Sequence, residues 1–389
     1  MSCKIKYNGV QIAEMTSDGS KTLKTSGKYV PHDLSVEYAG GGGGGVTIPE
    51  HGVLFIDYDG EVVAAWDSAD VASQNALPSN PSHSGLTSQG WNYTLAQIKA
   101  YIAANGSRRL YVGQLYAPTS GKTEFDIALT ATTGKEVVCN MSGMKDWGDG
   151  TSDSDTSHIY ADYGDYTIKC GGSAIPTGTS SAGGLFNSTS TDANGNWCTA
   201  IRFGANITSL PNYAFIYCRS VKTITMPSSI TSIGTYCFAN CQALVSMTLP
   251  SIPTVGTSMF NTCRVLRRIS IADGVTTLGT SVFSSAFSIE YVSLPDSVTS
   301  IGSNSFQNCY ALPEFAPKSI ASISGNAFNG SSNILVYDFS RVTAVPSLAN
   351  TNVFSGINFG CVIKVPSALY NSWKSAANWS SYADYIVAV

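Results

Sequence analysis

From residue 198 onward the apolar positions follow neither a helical spacing nor a plain alternation; they recur as a block. FANCQAL (238–244) returns as FIYCRSV from 215, FNTCRVL from 260 and FQNCYAL from 306, and in altered form as FSSAFSI from 283 and FNGSSNI from 328. Phe215, Phe238, Phe260, Phe283, Phe306 and Phe328 are separated by 23, 22, 23, 23 and 22 residues. A period in this range is the signature of stacked coils.

Each position of the repeat becomes a column. Cys198, Val221, Leu244, Leu266, Ile289, Leu312 and Ile334 form one column, and three residues on stand Ile201, Ile224, Met247, Ile269, Val292, Phe315 and Tyr337. Two further on come Phe203, Met226, Leu249, Ile271 and Leu294, an alternation that predicts a short strand. The proline that often follows ends it, because proline lacks a ladder donor. A second apolar pair runs from Ile207, Ile230, Ile252, Val275, Val298, Ile320 and Val342 to Leu210, Ile233, Val255, Leu278, Ile301, Ile323 and Val345. Gly234, Gly256, Gly279 and Gly302 come next, where a turn is expected.

A single coil cannot fold alone. Ordering about 23 backbones costs at least roughly 1 kcal/mol each, whereas six or seven buried apolar side chains contribute about 1.5–3 kcal/mol apiece. Stacked neighbours sharing ladders and a core close that gap. Cys218, Cys241, Cys263 and Cys309 lie beside the phenylalanine column, and Ala286 and Ser331 replace them, so the column requires a small residue. A line of thiols is the wrong shape for a tetrahedral metal site, and no CxxC or nearby histidine supplements it. Buried, reduced cysteine is the expectation.

LPDSVTSIGSNSFQNCYAL, from Leu294 to Leu312, resembles the BspA-type (Treponema-type) leucine-rich repeat family. The resemblance spans residues 198 to about 366. It implies a right-handed, curved solenoid with a parallel sheet on one side, used for binding, often by bacterial surface proteins, without catalysis. The segment VIKVPSALYNSWKSAANWSSYADYIVAV resembles the end segment of such proteins, with Trp373 and Trp379 covering the open end of the core.

Before the solenoid the patterning changes. KIKYNGVQIA predicts two strands joined at Asn8–Gly9, and Gly40–Gly45 reads as a flexible joint. This first module resembles small β modules of phage and prophage tail proteins from gut bacteria. GVLFIDYDGEVVAAW predicts a hairpin turning at Asp59–Gly60, and Leu95, Ile98, Tyr101 and Ile102 mark a helix over Thr94–Ala104. WGDGT, HIY and YGDYTI, between 147 and 168, resemble the PKD-type β-sandwich, whose role is spacing or adhesion. Tyr166, Ile168 and Cys170 alternate on one strand face, as do Val137, Cys139 and Met141; Cys139 and Cys170 can thus face each other, as thiols or as a disulfide.

The reading is a mainly β chain. It divides into an N-terminal β module (1–39), a Gly-rich linker (40–46), a small α+β module (47–116), a PKD-like β-sandwich (117–172), a linker or N-terminal cap (173–197), the leucine-rich-repeat solenoid (198–366) and a C-terminal cap (367–389).

Charge changes the picture by exclusion. Only 12% of residues are charged and the net charge is −4. No basic field is available for nucleic acid or an anionic membrane. The start, MSCKIKYNGVQIAEM, has no apolar run of signal-peptide length, and no segment approaches the roughly 18 apolar residues of a membrane span. The expectation is a protein neither exported by the general route nor anchored.

Candidate chemistry is thin. SGKT at 120–123 lacks the glycine of a phosphate loop, with Tyr116 in its place. Asp149, Asp153 and Asp155 offer carboxylates for calcium but lack the rest of an EF-hand. His32, His51, His83 and His158 are dispersed and form no catalytic motif. No cofactor, metal site or catalytic residue is expected.

One set of positions stands out. Arg264, Arg267, Arg268, Phe287, Glu290, Tyr291, Tyr310 and Glu314 occupy outward positions where other coils mostly carry Ser, Thr or Val. Arginine and tyrosine anchor interfaces; the bland reading is a solvated face with Arg–Glu pairs between neighbouring strands. The leading expectation is a non-enzymatic phage or prophage tail protein, carried on the virion and assembled in the host cytoplasm. Its solenoid would bind a bacterial surface protein or glycan, and its N-terminal modules other tail proteins. A homotrimer is implied only by the tail resemblance. The alternatives are a bacterial surface or secreted adhesin and, more weakly, a glycan-active enzyme using residues 47–116.

Overall fold

The computed structural model describes residues 46–389 apart from 107, 188 and 190–195, together with the backbone of four strands between residues 3 and 38. Those strands, Cys3–Tyr7, Val10–Met15, Lys21–Leu23 and Leu34–Tyr38, make an antiparallel sheet in which Tyr7 opposes Val10. The turn at Asn8–Gly9, the glycine run Gly40–Gly45 and His32 lie outside the described residues.

Residues 200–388 form a β-solenoid of about eight turns. Strands Ser246–Leu249, Arg268–Ile271 and Tyr291–Ser293 pair in parallel, Met247 beside Ile269 beside Val292. The second apolar pair also carries short strands, giving a parallel ladder from Thr254–Val255 through Thr277–Leu278, Ser300–Ile301 and Ser322–Ile323 to Ser347–Leu348, where the longer last coil sets Leu348, not the expected Val345, beside Ile323. Inside, the phenylalanines stack ring on ring, 5.6 Å apart for Phe215–Phe238 and 5.9 Å for Phe260–Phe283, and Phe354 extends the pile 5.5 Å beyond Phe328.

The turn holding each phenylalanine has a fixed backbone form. Residues two before and two after it have left-handed φ: Tyr236 and Asn240 around Phe238, Ser258 and Thr262 around Phe260, Asn304 and Asn308 around Phe306. Polar, Asn-rich flanks suit these positions, since Asn enters this region more readily than most residues. The glycines after the second ladder do something else. Gly279 and Gly302 lack positive φ; a Cβ on Gly302 would sit 2.5 Å from the Gly279 carbonyl carbon, and one on Gly279 2.8 Å from the Thr257 nitrogen. Close stacking of coils, not turn handedness, demands glycine there.

The cysteine column is buried, and its thiols have a task. Cys241, Cys263 and Cys309 each donate from Sγ to the carbonyl of the phenylalanine one coil back: Phe215 at 3.4 Å, Phe238 at 3.2 Å and Phe283 at 3.2 Å. Ser331 makes the same bond to Phe306. The position therefore mostly takes a small donor, which Ala286 and, in the coil of Phe354, Ile357 replace. Burial pushes the Cys263 thiol up to about 12, which keeps it protonated.

The end segment adds a rung as well as a lid. Ile386–Ala388 pairs in parallel with Val362–Val365, while Trp373, in the helix Tyr370–Ser375, and Trp379 lie fully buried with ring centroids 4.3 Å apart.

The other end is closed by the β unit before it. Thr123–Leu129 pairs antiparallel with Cys198–Arg202, the first solenoid strand, placing Phe125 opposite Ile201. One sheet thus runs from Ser152–Asp153 through Lys145–Asp146, Gly164–Cys170, Thr123–Leu129 and Cys198–Arg202 to Thr223–Thr225. Trp147, Val137, Met141 and Ile168 of this unit belong to the same buried cluster as the phenylalanine pile. An open solenoid end exposes both ladder groups and core, and an edge strand laid across it satisfies both. Residues 173–197 contribute Leu185, Phe186 and Trp197 to that cluster.

Residues 52–118 form a four-stranded sheet in the order Val62–Asp67, Gly52–Ile56, Arg109–Pro118, Leu86–Trp91. The helix Leu95–Asn105, capped by Thr94 and Gln97, covers one face over Val53, Phe55, Ile98, Tyr101, Leu110 and Val112. Alternation along Arg109–Pro118 sends Tyr111 and Gly113 the other way, against the solenoid.

Candidate binding surface

The outward positions of the solenoid strands fall into columns with different fates. Ser246, Arg268 and Tyr291 pair in one column, which Glu314 continues by repeat position in the next sheet, and Thr248, Ser270 and Ser293 form another, two residues on. The α+β module lies over both. Ser246 Oγ donates to the Tyr58 carbonyl at 2.9 Å, Ser270 Oγ to the Tyr111 carbonyl at 2.7 Å, and Tyr93 Oη to the Ile271 carbonyl at 2.8 Å. Small residues make room: a Cβ on Gly113 would lie 2.1 Å from Thr248 Oγ1, and one on Gly60 2.9 Å from Ser246 Cβ.

Three of the eight expected binding residues are accordingly engaged within the chain. Arg268 donates to the Gly60 carbonyl at 2.7 Å. Tyr291 accepts from Arg109 at 3.2 Å, its ring 5.0 Å from that of Tyr111. Glu314 pairs with Arg108 at 2.8 Å, and Arg108 also reaches Asp338. Their size and polarity serve the docking of residues 52–118.

The other five stay together on the rim beyond the docked module. Arg264 lies 5.7 Å over the Phe287 ring, and Phe287 stacks on Tyr310 at 5.4 Å. Beside them Arg267 donates to Glu290 at 2.6 and 3.0 Å, the Arg–Glu pairing of neighbouring strands. Tyr310 is 42% exposed. Val245 and Val265, also exposed, join this rim where corresponding positions hold Lys222 and Ala243. Asp59 and Glu61, at the hairpin turn of the module, face Arg267 and Arg268 across an open cleft of about 230 Å³. Nothing in the repeat pattern pointed to these two acids, because they come from another part of the chain.

Most of the remaining candidates among the described residues have structural partners, though none is shown for the Asp155 carboxylate. Ser120 of SGKT donates to Glu124 at 2.8 Å, while Thr123 is buried and accepts from the Gly204 N–H at 3.0 Å. Asp149 accepts from Thr151 at 2.6 Å and pairs with His158 at 2.8 Å; burial opposes its charge, but these bonds hold its carboxyl down at about 2. Asp153 accepts from the Trp147 indole at 2.9 Å. His158 stacks on Trp147 at 5.0 Å, and His83 sits 2.6 Å from buried Asp57, while His51 lies 3.8 Å from Glu50. Among the described residues no three His, Cys, Asp or Glu side chains converge as metal ligands, and no helix is long and apolar enough to cross a membrane.

Residues 194–313 match the BspA type leucine rich repeat region in six copies. The ladders continue beyond that stretch, to Ile386–Ala388. Among solved structures, a leucine rich repeat protein of T. pallidum is 28% identical, with 43% of this chain and 75% of that chain covered at a TM-score of 0.38. A leucine-rich repeat protein from Bacteroides ovatus ATCC 8483 is 20% identical, with 43% and 49% covered at a TM-score of 0.36. A leucine rich cell surface protein from Faecalibacterium prausnitzii A2-165 is 19% identical, with 44% and 73% covered at a TM-score of 0.27. A search of curated proteins returns no match.

Proposed function

We propose that this chain is a non-enzymatic binding protein that recognises a bacterial surface protein or glycan through the rim of its solenoid. The observation carrying this reading is the Arg264–Phe287–Tyr310 stack, with Arg264 and Tyr310 exposed and Phe287 half-buried, in a column where the other coils carry Arg219, Gln242 and Ser332. A cation over an aromatic face, flanked by Arg267 and Glu290, combines contact area with directed hydrogen bonds. The repeat family of residues 194–313 supports display on a cell surface. Assembly into a phage or prophage tail is the finer form of the proposal, supported by the resemblance of the first module to tail-protein modules. Binding of the labelled chain to intact bacteria and to isolated wall glycans tests the rim. Arg264→Ala with Tyr310→Ala is expected to weaken binding at least tenfold, while Thr254→Ala on the opposite ladder leaves it unchanged; equal binding by both variants overturns the assignment. Antibody labelling of phage particles against whole cells separates the two locations.

A further inference from the structure

The β unit that closes the solenoid holds a sulfur pair that neither the repeat packing nor the proposed binding surface employs. Cys139 follows the strand Glu136–Val138, which pairs only with Ser157–Ile159 among the described strands. Cys170 ends the strand Gly164–Cys170 of the six-stranded sheet. The two residues thus stand on separate sheets, both without solvent exposure, with their Sγ atoms 3.7 Å apart. Cys241, Cys263 and Cys309 differ, since their thiols point at carbonyls of the preceding coil.

Beside the pair lies an unusual cation. Lys145 opposes Cys170 across the sheet and is fully buried. Its Nζ has only long contacts to the carbonyls of Gly143, at 3.4 Å, and Ser154, at 3.5 Å, and it stands 5.9 Å from the Trp147 ring. A buried ammonium with such weak partners favours negative charge nearby. The hydrogen bond shared with Cys170, then a backbone hydrogen bond at Met141 and last the charge of Lys145 lower the Cys139 thiol against the effect of burial, so one sulfur of the pair is disposed to ionise first.

We propose that Cys139 and Cys170 form a disulfide that staples the two sheets of this unit when the protein meets an oxidising low-molecular-weight disulfide. The Cys139 thiolate attacks one sulfur of that oxidant, forming a mixed disulfide and releasing the first small thiolate. Cys170 then loses its proton and attacks the Cys139 sulfur, closing the protein disulfide and releasing the second small thiol. Two electrons and two protons pass from the protein to the oxidant. Access comes through opening of the strand pair Glu136–Val138 and Ser157–Ile159, which has three residue pairs. Because Cys170 belongs to the sheet that continues into the first solenoid strand, the staple braces the end of the solenoid.

The full chain is equilibrated in buffers from excess glutathione to excess glutathione disulfide, then denatured, alkylated and mapped by mass spectrometry. In the oxidised sample we expect a Cys139–Cys170 cross-linked peptide, the column cysteines alkylated, and a thermal midpoint several degrees above that of the reduced sample, reversed by dithiothreitol. A Cys139→Ala, Cys170→Ala variant loses the redox dependence of the midpoint. Should that variant fail to fold, the peptide map of the unaltered chain still decides. All ten cysteines alkylated after oxidation, cross-links confined to other cysteines, or identical midpoints in both buffers overturn the proposal.

Discussion

The inside and the outside of the same coils are built by opposite rules. Inside, the phenylalanine pile and the columns around it repeat with little variation, because every coil must present the same shape to the coils before and after it. Outside, the residues of one strand column run from Ser246 through Arg268 and Tyr291 to Glu314, unlike in size and charge. The difference teaches where specificity resides. A repeated core tolerates almost no individuality, whereas the outer face is free to accept a second module over Thr248 and Ser270 and to carry an aromatic and cationic rim beyond it.

Three changes break or sharpen that contrast. Phe260→Ala removes a ring stacked on both neighbours and is expected to lower unfolding free energy by about 3–5 kcal/mol, read from urea denaturation; a loss under about 1 kcal/mol contradicts an interior that works as one pile. On the outer face Gly113→Ala places a methyl against Thr248, and about 1–3 kcal/mol of overpacking should appear as faster proteolysis within residues 52–118 while the solenoid stays resistant. Cleavage at an unchanged rate would mean that the module does not rest on that contact. The smallest effect concerns the seam between β unit and solenoid. Burial opposes the charge of Asp126, but hydrogen bonds and charge from Arg202 hold its carboxyl below the ordinary value. A depressed folded value means stability that is present above the unfolded pKa of about 3.9 and lost as pH falls through the folded one. The urea midpoint of the native chain should therefore fall more steeply below about pH 4 than that of Arg202→Met; parallel curves would remove the seam from the acid response.

Much of this was legible in the sequence because a repeat reports its own geometry. The spacing of Phe215 through Phe328 identified the coils, and the substitution of Ala286 and Ser331 for cysteine identified a small buried site. The hydrogen bond from each thiol to the preceding phenylalanine carbonyl was not legible, since the acceptor is backbone and carries no residue identity. The same limit explains the glycines: the identity of Gly302 is visible, but the approach of Gly279 that requires it is not.

For the outer face the division is sharper. Arg268, Tyr291 and Glu314 are visible in the sequence as large or charged residues in one outward column, yet their partners Gly60, Arg109 and Arg108 lie over 180 residues away and outside any repeat. By itself the sequence determined the solenoid, its period and most of its buried columns, because each coil encodes the needs of its neighbours; the irregular last coil, where Leu348 takes the place expected of Val345, escaped it. Only the tertiary structure decided which outward residues are covered and which remain on the rim. Contacts between distant segments depend on shape complementarity, to which period and composition are blind.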